Sequence, residues 1–129
     1  MEKDNNEIII GCHFDCHGTT ELAALEGTKI FIGDEALFSA NIKFRTGDSH
    51  SILDINTGKR MNQSKSIVVG KHVWIGNSVT VLKGANIGDH SVVGIGSIVP
   101  GKTYPSNSVI GGNPAKVLKS EVDWCFEQI

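Results

Sequence analysis

Five histidines are the side chains of this chain best suited to chemistry near neutral pH. An imidazole ordinarily titrates near ~6.5, so it can take up a proton as a general base. His50 differs from the other four. It ends a regularly spaced run, follows Asp48 in Asp48-Ser49-His50, and precedes an irregular stretch, SILDINTGKRMNQSKS, at 51–66. A loop that follows a histidine is where a pocket wall is expected. Asp48 could steer the imidazole or meet a ligand, or serve only as a turn residue after Gly47. His72 and His90, eighteen residues apart, hold equivalent places in the spacing described next and should stack at a solvated outer corner. Cys12-His13-Phe14-Asp15-Cys16-His17 invites a metal reading. Its spacing matches no common zinc motif, and small buried cysteines with turn histidines account for it better. No metal is expected.

The spacing is a strict six. Val69, Ile75, Val81, Ile87, Val93 and Val99 are all β-branched, and Gly70, Gly76, Gly88 and Gly94 follow four of them. Small or modest residues recur four places on, at Val73, Val79, Ala85, Ser91 and Ser97. Six fits neither the 3.6 of a helix nor the 2 of a plain strand. Short fixed periods of this kind mark a solenoid, here a parallel β-helix whose turns stack equivalent aliphatics at about 4.8 Å. Trp74 fits poorly inside a narrow coil and should face outward.

The same period runs through Glu26, Ile32, Phe38 and Phe44, with Ile30, Ala36 and Ile42 between. Upstream, two phases compete: Ile10-Gly11 reads as a repeat start, while Ile8, Phe14, Thr20 and Glu26 keep step with Ile32. A slip within 15–25 is expected. Glu26 is costly if buried unpaired; it points outward at a register break or serves a ligand site. Residues 1–7 read as a frayed tail. The whole is one domain, 1–129, all-β, of about four triangular coils. An external loop is expected over about 51–66, and a C-terminal cap over about 119–129. In that cap Ser120 would start a short helix, Glu121 to Gln128, with Val122, Phe126 and Ile129 on one face.

Composition sets mild bounds. Of 129 residues, 40% are hydrophobic but only 6% aromatic, and fifteen glycines suit a chain that turns often. A net charge of −2 predicts no general attraction to nucleic acid or membranes. No apolar run approaches the ~18 residues of a membrane span. Three cysteines without framework spacing suggest a reducing, cytoplasmic setting.

The repeats, the segment Arg45-Thr46-Gly47-Asp48-Ser49-His50-Ser51-Ile52, the motif Val73-Trp74-Ile75-Gly76 and the run Gly112-Asn113-Pro114-Ala115-Lys116-Val117 together carry a resemblance. Over about three quarters of its length, from Ile32-Gly33 to Leu118, the chain resembles the hexapeptide-repeat acyltransferases. These are left-handed β-helix enzymes, and the match is to the sugar and polysaccharide O-acetyltransferase branch. The resemblance, not the spacing, implies the left hand. It implies acetyl-CoA as acyl donor, a sugar or polysaccharide hydroxyl as acceptor, and His50 as the general base in an Asp-x-His context. It also implies a homotrimer with active sites in the clefts between prisms. Trp74, Asn77, Gly94 and Ile95 would line the pantetheine groove, and Lys102, Lys116 and Lys119 would meet phosphates as point charges. Glu26, His17 and Thr19 would border the acceptor.

Three other readings compete. An amine acceptor, on an amino sugar or an antibiotic, would use the same groups. A γ-type carbonic anhydrase would want a His-x4-His pair, whereas His13 and His17 have three residues between them. A non-catalytic scaffold would have no use for His50, Trp74 and the Asn-Pro-Ala-Lys run.

Overall fold

The computed structural model describes residues 5–129. Residues 1–4 of the expected frayed tail lie outside the described residues, and the strands begin already at Glu7. Among the described residues, fourteen short strands wind into a three-sided column and a fifteenth lies along its last edge. The first coil is β1 (Glu7–Ile10), β2 (Asp15–Cys16) and β3 (Thr20–Ala23). The second is β4 (Lys29–Ile32), β5 (Leu37–Phe38) and β6 (Ile42–Arg45). The third is β7 (Ile67–Val69), β8 (Trp74–Ile75) and β9 (Thr80–Leu82), and the fourth β10 (Asn86–Ile87), β11 (Val92–Val93) and β12 (Ile98–Val99). A partial fifth coil holds β13 (Thr103–Tyr104) and β14 (Ser108–Gly112). The column is thus four full coils, as the period predicts, plus two further sides.

Each side of the column is one parallel sheet. Face A is β1-β4-β7-β10-β13, face B is β2-β5-β8-β11-β14, and face C is β3-β6-β9-β12. Residues one coil apart are registered partners: Ile32 with Val69, Phe38 with Ile75, Phe44 with Val81. The side chains that recur every six residues therefore point inward, where Ile32, Phe38, Phe44, Val69, Ile75, Val81, Ile87, Val93 and Val99 are fully buried. The small residues between them, Ala36, Val73, Val79, Ala85, Ser91 and Ser97, are buried too.

The two competing phases upstream resolve at the pairing. Ile10 aligns with Ile32, Cys16 with Phe38 and Leu22 with Phe44, so Ile10-Gly11 is a repeat start. The other phase, Ile8 and Thr20, aligns with Ile30 and Ile42, two places earlier on each side. Four extra residues between Leu22 and Ile32 bulge at a corner, where Glu26 (φ 55°) and Gly27 (φ 75°) adopt left-handed conformations. Glycine is needed where coils nearly touch. A Cβ on Gly88 would lie 2.4 Å from the Ser106 backbone nitrogen, and one on Gly33 2.7 Å from Gly70 backbone.

The C-terminal helix is not formed, and the described residues contain no helix. Instead β15 (Ala115–Ser120) runs antiparallel along β14 and covers the last edge of face B. Glu121 then turns in a left-handed conformation (φ 59°). Val122 exchanges hydrogen bonds with Asn107, its N–H donating to the Asn107 carbonyl and its own carbonyl accepting from Asn107 Nδ2. The pattern Val122, Phe126, Ile129 suggested a helical face. The competing interaction that prevails is the stacking of Trp124 on His72, ring centroids 4.0 Å apart, which holds the segment extended along the A/B corner. Among the described residues no helix is long and apolar enough to cross a membrane.

Candidate active site

A triangular coil has three corners, and the chemistry-bearing residues separate among them. The C/A corner, where face C turns into face A, carries His50. After β6 the chain leaves the column at Thr46 and returns at Ile67. Thr46 is buried and binds the neighbouring corner, its Oγ1 accepting from Leu25 N at 2.7 Å. The excursion folds back on itself through the Leu53–Arg60 bridge, closed by a turn in which Asp54 Oδ1 accepts from Asn56 and Thr57 N–H groups.

Two polar clusters fasten this loop to the column. Arg60 meets Glu26 in a bidentate pair, Nη1–Oε2 2.7 Å and Nη2–Oε1 2.6 Å, and Ser64 donates to the same carboxylate. That arrangement holds the Arg60 guanidinium above its ordinary pKa, chiefly through the hydrogen bond to Glu26. The second cluster centres on Asn62, which is buried. Its Nδ2 donates to the His50 carbonyl at 2.7 Å and to Asp48 Oδ2 at 3.0 Å, and its Oδ1 accepts from Ile52 N at 2.7 Å. Lys83, one coil on, reaches Asp48 Oδ2 at 2.6 Å.

Asp48 is therefore engaged by Lys83 and Asn62, and its hydrogen bonds and ion pairs do not include the His50 ring. Asn62 grips the His50 backbone instead, and Ser49 between Asp48 and His50 adopts a left-handed conformation (φ 71°). The His50 side chain is exposed. Hydrogen bonds from Lys83 first and Asn62 second lower the Asp48 pKa from its ordinary 3.8. A lowered carboxylate contributes stability that is complete above its unfolded value and is lost as pH falls through the folded one. Lys83→Met should bring the Asp48 titration back toward the ordinary range, read from its carboxyl carbon by NMR. An unchanged titration would mean that the ion pair does not form in solution.

The B/C corner collects a second set. Asn77 Oδ1 accepts from Ala40 N at 2.8 Å, and the Asn77 carbonyl accepts from Gly96 N at 2.8 Å, which places Asn77 directly beneath Gly94-Ile95. Ile95 is 75% exposed, and a Cβ on Gly96 would meet nothing within 4 Å. The corner is thus an open, apolar-edged ledge of backbone. His17 and Thr19 stand on the same corner in the first coil, both exposed, with His17 Nε2 3.4 Å from Asp15 Oδ1. Cys16, at the end of β2, is spent on packing and on contacts to the Gly18 carbonyl and Thr20 Oγ1. Lys116 pairs with Gly111 at the top of this corner, and Lys119 with Val109 farther along face B.

Two expected groupings are not met within one chain. Lys102 was grouped with Lys116 and Lys119, but it lies on the C/A corner, at the end of the turn before β13, over the turn that holds Lys83. Glu26 was grouped with His17 and Thr19, but it shares the C/A corner with His50. Trp74 is on face B, 38% exposed and 5.9 Å from Trp124. A corner of a triangle is opposite the third side, so His50 and Trp74 face away from each other. Arg60, Asn62 and Lys83 were not anticipated. Loop residues carry no period, and the Lys83–Asp48 pairing joins residues thirty-five apart.

No family model matches the chain. The polysialic acid O-acetyltransferase of Neisseria meningitidis is 32% identical over 132 residues, covering 95% of this chain and 61% of that protein. The crystal structure of a polySia-specific acetyltransferase superposes with a TM-score of 0.89 at 34% identity, over 95% of this chain and 52% of the other. A hexapeptide-repeat-containing acetyltransferase from Vibrio cholerae superposes with a TM-score of 0.74 at 31% identity, over 92% and 68%. The same Vibrio protein has been solved with acetyl coenzyme A. The chain spans from about a third to three fifths of the length of the first curated relatives it matches. The wound repeats, the loop bearing His50 and the match to the Vibrio enzyme over two thirds of its length show that the chain belongs to the hexapeptide-repeat acetyltransferase family.

Proposed function

We propose that this chain moves an acetyl group from acetyl-CoA to a sugar or polysaccharide hydroxyl, with His50 as general base, in clefts between the copies of a homotrimer. The observation that carries the reading is the division of the two sets of residues. An exposed His50, set by Asn62 on an anchored loop, faces away from the Trp74 face. The open ledge of Asn77, Gly94 and Ile95 stands at the opposite end of face C. Only a second copy can bring such a ledge to His50.

Support for self-association comes from face A. Ile9, Phe31 and Val68 are registered outward neighbours, exposed by 43%, 42% and 38%. An apolar stripe on a monomer is unusual and marks an interface. A monomer of 13.8 kDa by light scattering would contradict the trimer.

In the chemical step, the acceptor hydroxyl attacks the thioester carbonyl carbon as His50 takes its proton. The carbon–sulfur bond breaks, and the thiolate leaves and regains a proton. A positioned imidazole contributes about 10²–10⁴-fold to such a step. The alternative nucleophile, Ser49, is not needed, since direct transfer forms no covalent enzyme intermediate. The developing oxyanion requires N–H donors, and the ledge offers backbone for that role. Trp74 and Ile95 supply apolar contact for the pantetheine arm, and Lys116 and Lys119 charge for the phosphates. Lys102, on the C/A corner, would meet them from a neighbouring copy. Glu26, being tied to Arg60, shapes the acceptor side, while His17 and Thr19 extend the B/C corner. The names of the relatives support a sialic acid polymer or a galactoside as acceptor. Three cysteines, all free, fit a reducing cytoplasm.

The test is transfer from acetyl-CoA to a panel of oligosialic acids, galactosides and amino sugars, read as thiol release and acetylated product. Product on a hydroxyl is expected. Product formed only on amines would overturn the choice of acceptor, and no product with any of them would overturn the reaction.

A further inference from the structure

A second cluster of reactive groups lies at the A/B corner, away from His50. Here the corner residues of successive coils stack in left-handed conformations: His13, Glu35, His72, His90 and Asn107, with φ between 55° and 60°. The His72 and His90 rings are 5.0 Å apart, as the eighteen-residue spacing predicts. They are not simply solvated, because the C-terminal segment lies over them. Asp123 brings Oδ1 to 3.2 Å from His90 Nδ1 and 3.8 Å from His72 Nε2. One ligand atom from each of His72, His90 and Asp123 lies within 4.8 Å of the other two.

The protons of a neutral His72 do not balance in this arrangement. Its Nε2 is 2.9 Å from the Trp124 carbonyl and must donate to it. In a neutral imidazole Nδ1 is then a bare acceptor. Yet Nδ1 is the one buried side-chain nitrogen or oxygen without a hydrogen bond among the described residues. It faces another acceptor, Glu35 Oε1, at 3.4 Å. A buried polar atom with no partner costs free energy and asks for an explanation.

We infer that His72 Nε2, His90 Nδ1 and Asp123 Oδ1 bind a divalent transition metal of the zinc class, with Glu35 as the outer carboxylate that orients His72. Two imidazoles and a carboxylate are a common zinc donor set. Bonds of about 2.0–2.2 Å in a tetrahedron place ligand atoms about 3.3–3.6 Å apart, near the 3.2 and 3.8 Å found here. With the metal on Nε2, the imidazole proton moves to Nδ1 and is donated to Glu35. A metal-bound histidine whose other nitrogen is held by a carboxylate is the usual outer arrangement. The buried nitrogen is thereby satisfied. The proton now between His90 and Asp123 passes to His90 Nε2, on the exposed side of the ring. The Trp124 carbonyl or a water takes the fourth place.

The metal joins two coils of the column to the C-terminal segment. It pins Trp124, whose Nε1 already donates to the His72 carbonyl at 2.8 Å, beside Trp74. This site stands independently of the transfer reaction, since binding can be measured without it.

The experiment is calorimetric titration of the chelator-treated full-length chain with Zn²⁺, and with Mg²⁺ in parallel. One equivalent of Zn²⁺ should bind per chain and Mg²⁺ should not, as imidazole donors favour the former. His90→Ala and Asp123→Ala, both at partly exposed positions that should not disturb folding, should each weaken Zn²⁺ by about 100-fold or more. Glu35→Gln should weaken it by about 10–100-fold, the usual loss for an outer partner. His17→Ala should leave it unchanged. On binding, nitrogen NMR should show His72 change from the Nε2–H to the Nδ1–H form. Zn²⁺ binding that is indifferent to His90 and Asp123, or no saturable binding at all, would overturn the site.

Discussion

His50→Ala is expected to lower acetyl transfer by about 10²-fold or more at saturating substrates, with acetyl-CoA affinity unchanged. The loop grips His50 by its carbonyl, through Asn62 Nδ2, and among the described residues the imidazole has no hydrogen-bond partner. Alanine keeps the carbonyl, so the loop, the Glu26–Arg60 pair and the Asp48–Lys83 pair persist. The effect should therefore fall on turnover, not on folding or donor binding. A rate within a fewfold of the parent would remove His50 from its role. A loss that appears only as weaker acetyl-CoA binding would make it a binding residue.

The second large effect lies in the core. Phe38→Ala should destabilise the fold by about 3–5 kcal/mol, the usual cost of emptying a buried aromatic site. Phe38 is fully buried, and its ring packs edge-on against Phe14 at 5.0 Å and stacks on Phe44 at 5.6 Å. The backbone on either side is tied to the next coil, Leu37 N to the Val73 carbonyl and Ser39 N to that of Ile75. The walls are thus held by the ladders and cannot collapse into the gap. Phe38→Leu retains most of the volume and should cost much less. Urea unfolding of the two variants provides the measurement. Equal losses would mean that the position is not the closed interior site described here.

The column itself was legible because its period is unlike that of a helix or a flat strand. Each residue of the row Val69 to Val99 falls on an inward position, since a six-residue side returns the same pleat to the same place. The upstream phase was not legible. Ile8 and Ile10 both point inward on one strand, so alternation alone cannot choose between them, and only pairing with Ile30 and Ile32 does. His72 and His90 stack as their spacing requires, but a repeat says nothing about what a non-repetitive tail will cover. The same limit applies to the tail, whose apolar spacing suits a helix while Trp124 stacks on a flat imidazole. At the candidate site, the irregular loop that follows His50 was readable from the sequence, and His50 stands exposed at its start. The neighbours that set them, Asn62, Arg60 and Lys83, depend on where an aperiodic loop lands. Asp48 shows the limit well. Its place two residues before His50 suggests a partnership, yet its carboxylate is taken up by Lys83 and Asn62.

The central claim is that His50 of one copy works on a donor held by another. The most direct measurement is complementation between two defective chains. One carries His50→Ala, and the other carries Asn77→Ala with Ile95→Asp on the B/C ledge. Each assembly alone should be nearly inactive. Coexpressed, the chains should form mixed assemblies in which an intact His50 meets an intact ledge, and transfer should return. Activity in the coexpressed material no greater than the sum of the separate chains would contradict the account.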